Sequence, residues 1–436
     1  MIICYIIFVI VTFAEVHAEW TQQTNGLPAS FYSMAAIDAC SPLNAIITTA
    51  PHAIYKTSNA GEIWSLILIP EVDSLFNIVD VSMPDPNHIW VVNSVNPSIR
   101  ASSDGGLTWN TQYYSESTAN DTSLITSFNY IEMFDSLNGI AMGDGSYVLG
   151  RPAVFLATNN GGQIWSPHQQ DGMPTGSYHL WKSVDFVSPE IGYFYKNKGS
   201  AFDIWKTSNG CDTWSFVTID EPATFPGIKF YDANRGIVVG SFNMWSTDNA
   251  GDTWSKTIIN EFNANDYNWV SDIEFMPNNS NSFWMSVENN LLYTSDNGAS
   301  FDTLLSTTLG EFIDIVFTDS LNAWALSSVG LYHTSNGGIL SYDSKQNIVS
   351  NFVLEQNYPN PFNPTTTINY LISTKMDVKI IVYNILGEQI KTLVKEEKEP
   401  GYYSVMFDAT KLSSGTYFYK ITSNNFTEVR KMILLK

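Results

Sequence analysis

Carboxylates close to aromatic rings are the groups in this chain best suited to chemistry. Hydrolysis of a glycosidic bond needs only two Asp or Glu side chains flanking a cleft, one to donate a proton and one to attack or to activate water. Asp144, Asp171 and Asp266 stand in irregular segments with Tyr113, Tyr114, Tyr147, Tyr178, Trp181, Tyr267 and Trp269, whose flat faces suit stacking on sugar rings. The same residues make a binding surface without catalysis, and in so acidic a chain carboxylates fall near aromatics by chance. A second set recurs along the sequence. Asp38, Asp80, Glu132, Asp185 and Glu274 align at one position of successive repeats, with Lys229 and Val316 in the other two. Gathered around an axis they would hold a cation; singly, each would accept hydrogen bonds from a neighbouring backbone, the commoner fate of a buried carboxylate. Six His are scattered without ligand spacing, and no nucleophile motif or Gly-rich phosphate loop occurs. No cofactor is expected.

The elements that must position these groups come from a repeat. The phrase Ser/Thr-x-Asp/Asn-x-Gly-x-x-Trp reads TSNAGEIW from Thr57, SSDGGLTW from Ser102, TNNGGQIW from Thr158, TSNGCDTW from Thr207, TDNAGDTW from Thr247 and TSDNGASF from Thr294, with a worn copy, TSNGG, from Thr334. The starts are 45, 56, 49, 40, 47 and 40 residues apart, the length of a four-stranded antiparallel propeller blade. Within each phrase the Asp or Asn accepts hydrogen bonds from its own turn, the Gly takes φ > 0, and the Trp opens a strand as an apolar wedge. Five of the seven copies carry Asn (Asn59, Asn160, Asn209, Asn249, Asn336), which keeps an acceptor without charge and so argues against metal ligation.

Upstream of each box come an alternating strand, a turn such as DSLNG from Asp135 or DANRG from Asp232, and a second apolar strand. Boxes and first turns therefore share one face, and the long connections 111–126, 143–153, 167–180, 196–201 and 260–268 lie on the other, where recognition is expected. The seventh box has no Trp after it, whereas Glu19-Trp20-Thr21-Gln22 reads as a fourth strand without a box. This segment is expected to complete blade seven and close the ring.

The phrase closely resembles the Asp-box, or BNR, repeat of sialidase-like and sortilin-like propellers, and the repeat of photosystem II assembly-factor propellers. The resemblance implies a seven-bladed β-propeller and leaves activity open, because the box occurs in enzymes and non-enzymes alike. Sialidases of this fold hold the substrate carboxylate with three arginines. Here Arg100 precedes a box, Arg151 is in a loop, Arg235 is in a box-face turn and Arg430 lies near the C-terminus, so convergence is not expected. A role in photosystem assembly fits poorly with the acidic surface.

Residues 1–18 carry an apolar run and a Val-x-Ala pattern ending at Ala18, read as a secretory signal peptide. No later segment is apolar enough to cross a membrane as a helix. Cys40 and Cys211 fall nearly opposite each other around the ring, too far apart for a disulfide. Residues 19–342 hold 33 acidic and 10 basic side chains, a net of −23, whereas 343–436 hold 9 and 11, a net of +2. A propeller this acidic repels nucleic acid and anionic lipid.

Near residue 351 the repeat gives way to short alternating strands with Gly-containing turns, as in a small immunoglobulin-like β-sandwich. Its motifs are Asn357-Tyr-Pro359-Asn360-Pro361-Phe362-Asn363-Pro364, the Tyr-Asn-x-x-Gly turn from Tyr383, Ser414-Gly415-x-Tyr417, and Lys431-Met432. Together they strongly resemble the type A C-terminal sorting domain of type IX secretion cargo; Phe407 stands where that family often has Trp, and Asn424-Asn425 replaces a usual Gly turn. By that resemblance the tail addresses the chain to the type IX machinery and across the outer membrane.

The expected layout is a signal peptide (1–18), a propeller (19–342), a linker (343–356) and a sorting domain (357–436) in an all-β chain. The expected role is a secreted or cell-surface binding or adhesion module for a glycan or protein ligand. The alternative is a secreted glycoside hydrolase, not a sialidase.

Overall fold

The computed structural model describes residues 20–28, 35–49, 53–69, 77–115, 125–145, 153–168, 183–197, 201–219, 227–240, 243–259, 270–307, 310–338, 353–354, 357, 360–372, 375–398, 401–423 and 426–435. Every regular element among them is a β-strand, and the chain divides into two compact units, Met1–Ser341 and Tyr342–Lys436. The leader lies outside the described residues.

Seven four-stranded antiparallel sheets make up the first unit. In blades 1 to 6 the strands run in chain order from axis to rim, as in Ile37–Ser41, Asn44–Thr49, Ala53–Thr57 and Ser65–Leu68 of blade 1. Second strands are sandwiched between neighbouring blades and so read as continuous apolar runs; Ile89–Asn93, Gly236–Gly240 and Ala323–Ser327 are buried at every position. Outer strands such as Ser65–Leu68 are largely exposed.

Blade 7 combines Phe312–Phe317, Ala323–Ser327 and Gly330–Thr334 with the N-terminal strand Thr21–Gln23, which pairs antiparallel through Thr21–His333, Gln22–Tyr332 and Gln23–Leu331. Trp20 supplies the ring that the seventh box lacks. A Cβ added to Gly338 would lie 2.5 Å from Trp20 Nε1, much as one on Gly162 would lie 2.8 Å from Trp165 Nε1. The expected closure is the observed one.

The first six boxes share one hydrogen-bond scheme, whereas in the seventh the Gly338 amide donates to Asn336 Oδ1 (3.1 Å). In blade 1 the Thr57 hydroxyl donates to Asn59 Oδ1 (2.9 Å) and accepts from the Gly61 amide (3.0 Å), while Asn59 Oδ1 accepts from the Ile63 amide (3.1 Å). Each box then donates to the first turn of its own blade, from Ala60 to Leu43 O, from Gly105 to Asn87 O, from Gly161 to Leu137 O and so on to Gly337 and Leu321 O. That bond places both kinds of turn on one face. Two successive residues with positive φ produce the reversal; in blade 4 the second is Cys211, at φ 73°, where the pattern calls for Gly. Cys40 and Cys211 are both free.

In the second unit a three-stranded sheet (Val353–Leu354, Thr365–Ile372, Gly401–Asp408) and a four-stranded sheet (Gln389–Lys398, Met376–Asn384, Gly415–Ser423, Phe426–Leu434) enclose a core containing Phe362, Tyr370, Phe407, Tyr419 and Leu434. Val353 and Leu354, assigned to the linker from sequence, belong to this module: they pair with Leu371 and Tyr370, and Leu354 is buried. The sorting motif staples its two ends. Phe362 forms a parallel bridge with Leu434, Asn360 Oδ1 accepts from the Ile433 amide (2.8 Å), and the buried Asn357 donates to Thr366 Oγ1 (2.9 Å). Asn360-Pro361 and Asn363-Pro364 are cis; Pro359 lies outside the described residues. Tyr417 donates to Ser413 O (2.8 Å), Gly415 has φ 156°, and Lys431 is exposed.

Candidate functional site

The inner strands surround a channel of about 400 Å³ lined by seven carboxylates and one lysine: Asp38, Asp80, Glu132, Asp185, Asp272, Glu274, Asp314 and Lys229. Strand pairing sorts them into two tiers. The residues opposite Ile46, Trp90, Ile140, Tyr193, Ile237, Trp284 and Trp324 of the second strands are Asp38, Ser82, Glu132, Asp185, Lys229, Glu274 and Val316. Two residues upstream, Asp80, Tyr130, Asp272 and Asp314 form the other tier. Asp80 is therefore not equivalent to Glu132 as the sequence alignment had it; Ser82 is. Asp272 and Asp314 are channel residues that the alignment missed.

The tiers hold the ring together from blade to blade. Asp38 accepts from the Met83 amide (2.5 Å), Asp80 from Ile131 (2.8 Å), Ser82 Oγ from Met133 (3.0 Å), Asp185 from Phe230 (2.7 Å), Asp272 from Ile315 (2.9 Å) and Asp314 from Ile37 (3.0 Å). Each bond satisfies a backbone donor of the next blade, for which a charged acceptor is the stronger partner. Among the described residues, no group of three or more His, Cys, Asp or Glu is placed to hold a metal ion.

Lys229 is the channel's internal counter-ion. Its ammonium lies 2.8 Å from Glu274 and 3.5 Å from Asp185, so blade 5 bridges blades 6 and 4. Burial opposes its charge, but Glu274, Asp185 and Asp272 more than offset this and hold its pKa well above the lysine range. The Glu132 pKa is also raised, with the opposite effect on charge. Burial, only partly countered by Lys229 and by the Tyr130 hydroxyl that donates to it, raises its pKa to about 8. At neutral pH much of Glu132 is thus protonated, which lowers the charge density of the channel.

Three of the residues proposed for the opposite face are described. Tyr113 and Tyr114 end the outer strand Asn110–Tyr114 of blade 2; Tyr113 packs edge-on against Phe128 (5.9 Å), and Tyr114 is exposed. Asp144 departs from the loop position expected of it. It ends the strand Gly139–Asp144 rather than standing in a loop, is buried, and accepts from Asn129 Nδ2 (2.8 Å). Tyr147, Asp171, Tyr178, Trp181, Asp266, Tyr267 and Trp269 lie outside the described residues. Arg235 is engaged on the box face, donating to Asp248, Asn281 and Asn297 and thereby tying blade 5 to blade 6.

Residues 356–435 match the family model described as the secretion system C-terminal sorting domain, and residues 68–215 match that of photosynthesis system II assembly factor YCF48. A search of curated proteins finds no match. Among solved structures, YCF48 bound to D1 peptide is similar at a TM-score of 0.56 and 14% identity, covering 73% of this chain and 96% of that one. YCF48 from Cyanidioschyzon merolae gives 0.55 at 16%, covering 72% and 98%. The GH74 enzyme of Niastella koreensis gives 0.53 at 12%, covering 94% and 73%. At these identities the likeness shows the propeller fold alone. The tail indicates export by type IX secretion to the cell surface or the extracellular space. No helix among the described residues is long and apolar enough to cross a membrane.

Proposed function

We propose that the propeller is an exported binding module whose ligand meets the face opposite the boxes. The observation that carries this reading is the use of the channel carboxylates as blade-to-blade acceptors, which makes them parts of a rigid scaffold. Irregular connections displayed by such a scaffold are where recognition usually resides. The aromatic and amide side chains of those connections, Tyr147, Tyr178 and Trp181 among them, suit a flat polar ligand such as a sugar or an extended peptide. The peptide arm of this reading draws on the solved YCF48 with a D1 peptide bound.

The test is a glycan and peptide array probed with the mature protein, followed by Tyr147→Ala, Tyr178→Ala and Trp181→Ala. An anchoring aromatic weakens binding by about 1 kcal/mol or more when truncated. Full affinity after all three changes overturns the assignment of the face. The hydrolase reading draws on the GH74 likeness and requires carboxylates such as Asp171 and Asp266 to act as a pair. It is supported only if polysaccharide cleavage by the protein disappears on changing either to Asn.

A further inference from the structure

The box face is not uniform around the ring. Leu43 and Leu137 at the first turns of blades 1 and 3, and Ile63, Leu107 and Ile164 in the boxes of blades 1, 2 and 3, are between 54% and 84% exposed. The repeat itself shows that the fold does not require them. The turn position of Leu43 and Leu137, whose carbonyl accepts the box amide, is filled by Glu190, Asn234 and Asn281 in blades 4 to 6 with the same backbone bond. At the place of Ile63 and Ile164 those blades carry Thr213, Thr253 and Ser300, each of which hydrogen-bonds to the box Asn or Asp at 2.7–2.9 Å. Blades 1 and 3 forgo that bond and expose an aliphatic side chain to water instead.

Charge identifies what would cover this surface. The same three blades carry Glu62, Asp85, Asp104 and Asp135 on this face, and hydrogen bonds from Thr108 and Ser102 lower the pKa of Asp104 to about 2, so that it stays ionised. Beside them Lys56 turns its ammonium to the carbonyls of Pro86 and Gly105, and the His88 ring nitrogen Nδ1 lies 2.8 Å from Asp85. We propose that the box face of blades 1 to 3 is a docking surface for a basic, aliphatic-rich protein segment. This surface is separate from the loop face and does not depend on it. Anionic lipid is the poorer fit, because the carboxylates would repel it.

The experiment titrates the mature full-length protein against a fluorescent peptide of alternating Lys and Leu, with a Lys/Ser peptide and anionic phosphatidylglycerol vesicles in parallel. The variant combines Ile63→Thr, Leu107→Gln and Ile164→Thr, each installing a residue found at that box position in another blade (Thr108, Gln163 and Thr213). The Lys/Leu peptide should bind the parent and lose about tenfold or more in affinity for the variant, as removal of three exposed aliphatic anchors predicts. Should the triple variant fail to fold, Leu107→Gln alone should give about a threefold loss on the same grounds. Equal affinity for parent and folded variant, equal binding of the Lys/Ser peptide, or vesicle binding that the substitutions abolish would each overturn the proposal.

Discussion

Asp314, on the inner strand of blade 7, accepts a 3.0 Å hydrogen bond from the Ile37 amide of blade 1, across 277 positions of sequence. The ring is therefore closed twice. The side-chain bond joins its ends at the axis, and the strand Thr21–Gln23 joins them at the rim, with Trp20 against Gly338.

Removing the inner bond tests its share of closure. Asp314→Ala leaves the Ile37 amide without this acceptor and should cost about 1–3 kcal/mol, whereas Asp314→Asn keeps an acceptor and should cost less. Chemical denaturation of the two variants measures the difference. Equal losses would mean that packing around the side chain, rather than the bond, is what matters.

Lys229→Met leaves Asp185 and Glu274 facing each other without their counter-ion. Breaking a buried pair on one side costs about 3–5 kcal/mol, and the lower end is expected because Lys229 keeps 30% of its side-chain surface exposed. Adding Glu274→Leu should recover part of that loss. A double variant less stable than the single one would show that Glu274 has a role beyond pairing with Lys229.

Two groups, Glu132 and His333, bracket the pH range of greatest stability. Glu132 has its pKa raised from 4.5 to about 8, so the stability held by its protonated form is complete below pH 4.5 and is lost as pH rises through 8. His333, packed at a tilt against Trp324 and lowered by burial from 6.5 to about 4, is the mirror case: its contribution is complete above 6.5 and is lost as pH falls through 4. Thermal melts from pH 4 to 9 should show Glu132→Gln flattening the alkaline limb and His333→Phe the acid limb. Unchanged limbs would reassign both.

The box backbone gives opposite expectations at equivalent positions. A Cβ on Gly162 would lie 1.8 Å from Gln112 Oε1 at φ 77°, and Gln112 accepts from both Trp90 and Trp165, so Gly162→Ala should cost about 2 kcal/mol or more. Cys211→Gly gives up a buried thiol but releases a left-handed strain of about 1–2 kcal/mol, and should be close to neutral. Differential scanning calorimetry ranks the two.

Export tests the tail. Without residues 351–436 the chain should accumulate in the periplasm of a host with type IX secretion, as read by cell fractionation. Normal release would separate the sandwich from its address.

The sequence by itself determined the number of blades, the place of each box and the segment that closes the ring, because turn chemistry and strand period act over a few residues. Trp20 could be matched to the box lacking a Trp for the same reason. The tiers of the channel needed tertiary structure. Irregular pairing at Ile78/Asp80, Phe128/Tyr130, Val270/Asp272 and Phe312/Asp314 shifts the inner strands, and an alignment by carboxylate type merged residues of different levels. Counting back from the first turn would have separated them, since Asp80 stands five residues before Asp85 and Glu132 three before Asp135. No count could have shown which amide each carboxylate meets. That partner belongs to the next blade, some 45 to 51 residues on for Asp38 and Asp80 and 277 back for Asp314, and only closure of the ring brings the two within reach.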